Sequence, residues 1–157
     1  MFTKSKKLFG LMAVLLVLSL LLAACGAKAT ATDIEVPEPS NPGGPGEAVN
    51  LTGDAKAGAD VYQANCVKCH GEEGKGGIEN AGSEDGTIPE LNPLDPGLLS
   101  KDAKTNIGNI DKFIEHGAAP EGDNPAKLMP AFGDQKVLTP QQIADVIAYV
   151  ISLNPAK

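Results

Sequence analysis

The chain has 157 residues, a formal net charge of −7, no tryptophan and only four phenylalanines. This length allows one modest domain once any targeting segment and linker are subtracted. The acidic charge argues against nucleic-acid binding, which depends on basic side chains that neutralise phosphates. A domain with so few large apolar side chains is short of core-filling volume, so we expect something else to help fill the core.

Residues 1–24 have the features of an export signal. Three lysines precede an apolar stretch from Leu8 to Leu22, which is the order of a cationic head and a hydrophobic region. The stretch ends in Leu22-Ala23-Ala24-Cys25, which resembles the lipobox at which bacterial lipoprotein precursors are lipidated and cut. The resemblance implies a diacylglyceryl thioether on Cys25, and more than one acyl chain is needed for stable anchoring. The alternative is an uncleaved transmembrane anchor, although the apolar run is shorter than the ~20 residues of a typical span.

Residues 25–50 are predicted to form a lipid-anchored linker. They are rich in Pro, Gly, Ala, Thr and Glu, and clusters such as Pro42-Gly43-Gly44-Pro45 break any helical or strand period. A linker of this composition would let the rest of the chain move above the membrane. The folded domain is therefore predicted to occupy residues 51–157.

A helix is predicted over residues 55–65, where Asp54 offers an N-terminal cap. It leads directly into Cys66-Val67-Lys68-Cys69-His70, and this C-x-x-C-H pattern is typical of c-type haem attachment. Two cysteines three residues apart at a helix end present both thiols on one side, where each can add to a vinyl group of one porphyrin. His70 follows at once, so its Nε2 can supply an axial ligand to the iron.

Three other uses of the cysteine pair compete with haem attachment. A structural disulfide between Cys66 and Cys69 would suit an exported protein but leaves His70 without a role. A thioredoxin-like site belongs in a βαβ setting, whereas the flanking sequence here is helical. A zinc site would need a second pair of ligands, which the sequence does not offer. The count of three cysteines favours haem, because one is assigned to lipid and two to thioethers.

Met129 is the predicted second axial ligand of the iron. It lies in Leu128-Met129-Pro130-Ala131-Phe132-Gly133, a turn-like segment bounded by proline and glycine, and it is the one methionine left after the export signal is removed. Methionine ligation raises the potential of a haem iron. A lone methionine can also be a core filler. His116 is a rival ligand, although a histidine in the last turn of a helix is explained by its interaction with the helix dipole.

Two more helices complete the predicted fold. One covers residues 109–116 and ends at Gly117. Its buried stripe consists of Ile110, Phe113 and Ile114. The other follows Thr139, with Gln142 completing a capping box. Its apolar face consists of Ile143, Val146, Ile147 and Val150.

The last helix is predicted to cross the first. Gly58 would let the two backbones approach closely, and Tyr62, one turn further on, would cover the crossing beside Val146 and Tyr149. The crossing is therefore expected to depend on a small residue next to a large one.

These parts, in this order, resemble a class I c-type cytochrome of the small bacterial monohaem kind. The resemblance covers residues 51–155. Its motif positions are Cys66, Cys69, His70 and Met129, with the Gly58/Tyr62 pair at the helix crossing. It implies an all-α fold in which N- and C-terminal helices cross around one covalently bound haem c per chain. It also implies that a proline carbonyl accepts a hydrogen bond from the second ring nitrogen of His70, with Pro89 the better match and Pro93 the rival.

The sequence departs from this pattern between His70 and Met129. Residues 72–85 are rich in glycine and carboxylates and look inserted. We expect a solvated loop, which costs little entropy even when it is long. A docking lip or a cation site would be a functional alternative, but the carboxylates lack the fixed spacing of a calcium-binding loop.

The expected function is outer-sphere transfer of single electrons, without a bound substrate, at the extracytoplasmic face of the cell membrane. The expected partners are a quinol-oxidising complex and a terminal oxidase, reductase or photosynthetic reaction centre. The acidic domain would suit a basic or weakly charged partner surface. One alternative is a fixed haem subunit of a membrane quinol-oxidising complex, such as alternative complex III. Another is a haem sensor or peroxidase-like protein with an open distal side, against which Met129 argues.

Overall fold

The computed structural model describes residues 43–155, so Cys25 and the predicted export signal lie outside the described residues. The α-helices of this part are α1 (Ala55–Asn65), α2 (Val67–His70), α3 (Ala103–His116) and α4 (Pro140–Ser152). Short 3-10 helices occur at Glu47–Asn50, Glu72–Gly74 and Pro96–Leu98. Residues 43–155 contain no β-strand and two isolated bridges, which confirms the predicted all-α fold. None of their helices combines the length and apolarity that crossing a membrane requires.

The crossing of α1 and α4 organises the fold as predicted. Gly58 is buried, and a Cβ at this position would overlap the backbone carbonyl of Asp145 on α4. Next to it, Tyr62 is 1 % exposed, and its ring centroid lies 5.1 Å from that of Tyr149. The Asp145 carboxylate also accepts a hydrogen bond of 2.9 Å from the backbone N–H of Asp54, which fixes the start of α1 against α4.

Helix α4 begins with the predicted capping box. The Thr139 hydroxyl accepts a hydrogen bond from the backbone N–H of Gln142, and the Gln142 side chain accepts one of 2.9 Å from the backbone N–H of Thr139. This reciprocal pair satisfies backbone donors that have no partner within the helix. The predicted apolar face is buried in the core: Ile143, Val146, Ile147 and Val150.

Helix α3 begins at Ala103 rather than at residue 109, so the predicted start was wrong. Asp102 caps it, accepting a 2.7 Å hydrogen bond from the backbone N–H of Thr105. The cap stabilises the first turn of the helix. The residues of this turn are mostly polar and lack the spacing of apolar side chains by which a helix is predicted. Of the predicted stripe, Ile110 and Ile114 are buried, and Phe113 is half-buried.

Residues 43–50, which we call the N-terminal strap, were predicted to be the end of the linker. Instead they pack against the domain. Ala48, in the 3-10 helix Glu47–Asn50, is 1 % exposed and belongs to the hydrophobic core. The packed part of the chain therefore begins before Leu51, the predicted start of the domain.

Two polar contacts fasten the N-terminal strap to α3. The backbone N–H of Gly46 donates to the carboxylate of Asp111, a fully buried side chain. The Nε2–H of His116 donates to the carbonyl of Gly44 at 2.8 Å. The other ring nitrogen of His116 lies 2.9 Å from the Asp134 carboxylate. These partners raise the pKa of His116, the hydrogen bond to Asp134 being the larger cause and the Gly44 carbonyl the next.

The inserted segment is a loop, as expected, but only part of its surface is solvated. A bridge between Glu79 and Thr87 closes it into a hairpin-like turn. The turn packs against residues 120–127, where the backbone N–H of Ala126 donates to the carbonyl of Ala81 at 2.8 Å. Nowhere in residues 43–155 do three or more potential metal ligands come together, so nothing there supports a cation site in the loop.

Candidate functional site

The chemical motif lies at the junction of α1 and α2. The backbone N–H of Cys66 closes the last turn of α1 on the carbonyl of Tyr62 at 2.8 Å, and the N–H groups of Cys69 and His70 then bond to the carbonyl of Cys66. One helical turn thus carries two thiols and an imidazole on adjacent positions of one face. Both cysteines are free and half-buried, with no disulfide between them.

The carbonyl of Pro89 orients the His70 ring. The Nδ1 atom lies 3.2 Å from the Pro89 carbonyl oxygen, which is the contact that the family resemblance implies for Pro89 rather than Pro93. Because a carbonyl oxygen can only accept, Nδ1 carries the proton and the Nε2 lone pair is left available. Burial lowers the pKa of His70, and the hydrogen bond to Pro89 opposes this only in part. The ring is therefore neutral, the form that can bind a metal ion.

The Cys66 thiol lacks the lowered pKa of a redox-active cysteine. Burial raises the pKa of the Cys66 thiol to about 11, and the neighbouring Cys69 adds to the effect. Reactive cysteines of thioredoxin-like sites need the opposite, a lowered pKa that yields a thiolate near neutral pH. In residues 43–155 no three His, Cys, Asp or Glu side chains are placed so that they could hold a metal ion, so the structure gives the zinc alternative no support.

Tyr62 connects the helix crossing to the motif. Its hydroxyl donates a 2.8 Å hydrogen bond to the carbonyl of Gly71, directly after His70. Burial raises the pKa of Tyr62 to about 12, so the hydroxyl keeps its proton and remains a donor. The sequence predicted only a packing role for Tyr62, because nothing in the local sequence indicates that its hydroxyl reaches Gly71.

Met129 borders the same core as the motif. Its backbone forms an isolated bridge with Ala118, with N–H to carbonyl distances of 2.8 and 3.1 Å. The residue is half-buried and packs against the hydrophobic cluster, as do Cys66 and Val67. His116, the rival ligand, instead bonds through its two nitrogens to Asp134 and Gly44.

A set of half-buried apolar side chains, which we call the apolar border, packs against the core. Its members are Val61, Cys66, Val67, Leu91, Leu98, Ile107, Met129, Phe132, Tyr149 and Ile151. Side chains that pack on a core yet stay partly exposed can cover the faces and edges of a flat apolar group. Together with two thiols, a neutral imidazole and a thioether, this border fits the chemistry of a haem attached through cysteines.

The sequence profile of the cytochrome c family matches residues 55–154. The chain is a member of the cytochrome c family. Its cofactor is accordingly covalently bound haem c, and Cys66 and Cys69 fit the C-x-x-C-H attachment site. Family membership also agrees with the described fold, in which the first and last helices of the matched region cross at Gly58.

Several curated cytochromes are similar to this family member. Cytochrome c6 of Gloeothece citriformis is 36% identical over 101 residues, which cover 64% of this chain and 73% of the relative. The cbb3-type cytochrome c oxidase subunit FixP of Sinorhizobium medicae is 36% identical over 102 residues, covering 64% of this chain and 30% of the relative. The fructose dehydrogenase cytochrome subunit of Gluconobacter japonicus is 36% identical over 99 residues, which cover 60% of this chain and 18% of the relative. The chain thus spans less than a third of the two subunits. No solved structure gives a significant match.

Proposed function

We propose that this cytochrome carries single electrons between redox proteins at the extracytoplasmic face of the cell membrane. The observation that carries the proposal is the state of His70. Its Nδ1–H is bonded to the Pro89 carbonyl, its ring is neutral, and its Nε2 is available on the helical turn that holds both thiols. A site of this kind supplies a fixed axial ligand and needs no substrate pocket.

Each residue has a distinct role in this proposal. Cys66 and Cys69 hold the porphyrin by thioether bonds, which prevents loss of the cofactor outside the cell. His70 would hold the haem iron through its ring nitrogen Nε2, and Met129 would hold it through its thioether sulfur. The bound haem iron supplies reversible uptake of one electron. The apolar border disfavours the extra charge of the oxidised haem and so raises its reduction potential. Ligation by Met129 raises the reduction potential as well.

We further propose that Cys25 is lipidated and that residues after it tether the domain to the membrane. The support is the order of lysines, apolar stretch and Leu22-Ala23-Ala24-Cys25 at the N-terminus. Lipidation would confine the cytochrome to diffusion along the membrane surface, next to its membrane-bound donors and acceptors.

The proposed partners are a quinol-oxidising complex on one side and a terminal oxidase, reductase or reaction centre on the other. The similarity to cytochrome c6, of which this chain covers 73%, supports a single-domain carrier. The net charge of −7 predicts a basic or weakly charged docking surface on the partner and association that weakens with salt.

A second candidate function is a fixed haem subunit of a membrane complex. Two of the relatives named above are subunits by name, the FixP subunit of a cbb3-type oxidase and the cytochrome subunit of fructose dehydrogenase. For this chain the complex would be a quinol-oxidising one, such as alternative complex III. Purification from detergent-extracted membranes at moderate salt separates the two functions, because a carrier comes off alone and a subunit elutes with its complex.

The proposal is tested by the visible spectrum and redox titration of the full-length chain, produced in a bacterial host with haem-attachment machinery. We expect a c-type ferrous spectrum, a methionine-to-iron charge-transfer band in the ferric state and a positive one-electron potential. A high-spin iron that binds added carbon monoxide rapidly would instead indicate an open distal side and a sensor or peroxidase-like protein.

A further inference from the structure

We propose that Asn80 is a positioning residue that holds the segment carrying Met129 in place. This inference rests on the proposed function, in which Met129 is an axial ligand of the haem iron. It assigns a purpose to the inserted segment, which the sequence alone left without one.

The Asn80 side chain binds the backbone two residues before Met129. Its Nδ2 donates to the carbonyl of Lys127 at 3.1 Å, and its Oδ1 accepts from the backbone N–H of Lys127 at 2.7 Å. Asn80 is 0 % exposed. Burying an amide is costly unless both its donor and its acceptor are satisfied, and here one residue of another loop satisfies both. The two-point bond therefore fixes where the Lys127 backbone lies and how it is oriented.

Asn80 can do this because its own backbone is held. Its N–H donates to the carbonyl of Gly86 at 2.8 Å, and its carbonyl accepts from the Ser83 hydroxyl at 2.7 Å. The next residue, Ala81, accepts a further bond from the backbone N–H of Ala126. The turn of the inserted segment is thus a preformed platform, and the chain before Met129 lies along it.

The chain at Met129 itself is held from a different side. Met129 exchanges two backbone hydrogen bonds with Ala118, just after the end of α3. Only Leu128 separates this anchor from Lys127, and its side chain is 60% exposed, so it contributes little packing. The direction of the Met129 side chain consequently depends on how the backbone is held at Lys127 and at Ala118. Without the Asn80 side chain, the segment keeps the Ala126–Ala81 backbone bond and the bond from the Lys127 ammonium to the Glu79 carbonyl, but the Lys127 backbone loses both bonds that fix its orientation.

The first test compares N80A with N154A in the full-length haem-loaded chain. Asn154 makes the same kind of two-point bond, donating to the Leu91 carbonyl at 2.8 Å and accepting from the Leu94 N–H at 2.7 Å. N154A therefore removes a comparable pair of amide hydrogen bonds, at a half-buried position and without touching the Met129 segment. We expect N80A to lose at least about half of the ferric methionine-to-iron band and to bind carbon monoxide about tenfold faster in the ferrous state. N154A should retain the band and the slow binding.

The second test disturbs the same contact without removing Asn80. Gly82 and Gly86 both have positive φ, +81° and +67°, so alanine strains the backbone at either position. A Cβ on Gly82 would overlap the carbonyl of Asn124 in the facing loop, whereas a Cβ on Gly86 meets nothing within 4 Å. We expect G82A to lose the methionine band as N80A does, and G86A to keep it.

The spectra separate failure of this inference from failure of the proposed function. A wild-type band that persists in N80A with unchanged carbon monoxide binding would overturn the positioning role and leave the ligand assignment intact. Equal loss in N80A and N154A would also overturn it, since general destabilisation would then account for the change. A wild-type protein without the band would refute ligation by Met129, and the inference would fall with it.

Discussion

Gly58 on α1 packs directly against the backbone carbonyl of Asp145 on α4, with no room for a side chain between them. We therefore predict that G58A forces the two helices apart and lowers the free energy of unfolding by about 1–3 kcal/mol. The measurement is urea unfolding of the haem-loaded protein followed by circular dichroism. G108A is the matched control, because Gly108 is also helical and a Cβ there would lie 3.6 Å from Pro45, an ordinary contact. Alanine should stabilise that helix by up to ~1 kcal/mol, and equal destabilisation by both variants would contradict the prediction.

M129A should leave the haem attached and lower its reduction potential, because the proposed thioether ligand, which favours ferrous iron, would be lost. The measurement is a redox titration combined with the ferric absorption spectrum, in which the methionine band should disappear. H116Q is the control, since His116 bonds to Asp134 and Gly44 rather than lying free to bind iron. If H116Q changed the potential as M129A is expected to, His116 would be the ligand.

The cysteines should separate into two classes when each is replaced by serine. C66S removes one thioether and should sharply reduce the amount of matured holoprotein, measured by haem staining after denaturing electrophoresis. C25S should keep the haem but move the protein from the membrane fraction to the soluble fraction, because the proposed acyl chains would have no attachment point. A C25S protein that stays in the membrane fraction would favour the uncleaved transmembrane anchor.

The contact of His116 with the N-terminal strap should make stability depend on pH. Its pKa in the folded protein is raised, mainly by the hydrogen bond to Asp134 and then by the Gly44 carbonyl. The contribution of protonated His116 is therefore full below the unfolded-state pKa of about 6.5 and is lost as the pH rises through the higher folded-state value. Urea unfolding should show wild type more stable than H116Q at about pH 5.5, with the difference shrinking by about pH 8.5. Asp111 and Glu115, whose pKa values are raised by burial, lie near His116 but are common to both proteins. A difference that does not change with pH would contradict the prediction.

The elements with local signals were predictable from sequence. The capping box of Thr139 and Gln142 lies within one turn, and the Gly58/Tyr62 pair stands in a helical composition, so short-range chemistry was sufficient for both. The attachment motif is likewise contiguous. Its partner Pro89 lies 19 residues from His70 and was reached only through the resemblance to a known family.

The features that the sequence did not predict depend on contacts between distant residues. The contact of Asn80 with Lys127 spans 47 residues, and that of Gly46 with Asp111 spans 65. Glycine and proline in the N-terminal strap, and glycine and carboxylates in the inserted segment, made both look like free chain, because composition reports the absence of a helical or strand period but not the presence of a tertiary partner. The early start of α3 was missed for a different reason, since Asp102 caps a turn without an apolar stripe.

The proposed tether at Cys25 would give the N-terminal strap a mechanical role. Within the described residues, tension from the tether would act on Gly44 and Gly46, whose bonds to His116 and Asp111 pass the load into α3. Ala48, seated in the core, resists peeling of the strap before the pull reaches α1. Helix α1 leads directly into Cys66, so a force that reached α1 would also act on the haem attachment site. Because the strap would take up the force before α1, drag from the membrane would leave that site undisturbed.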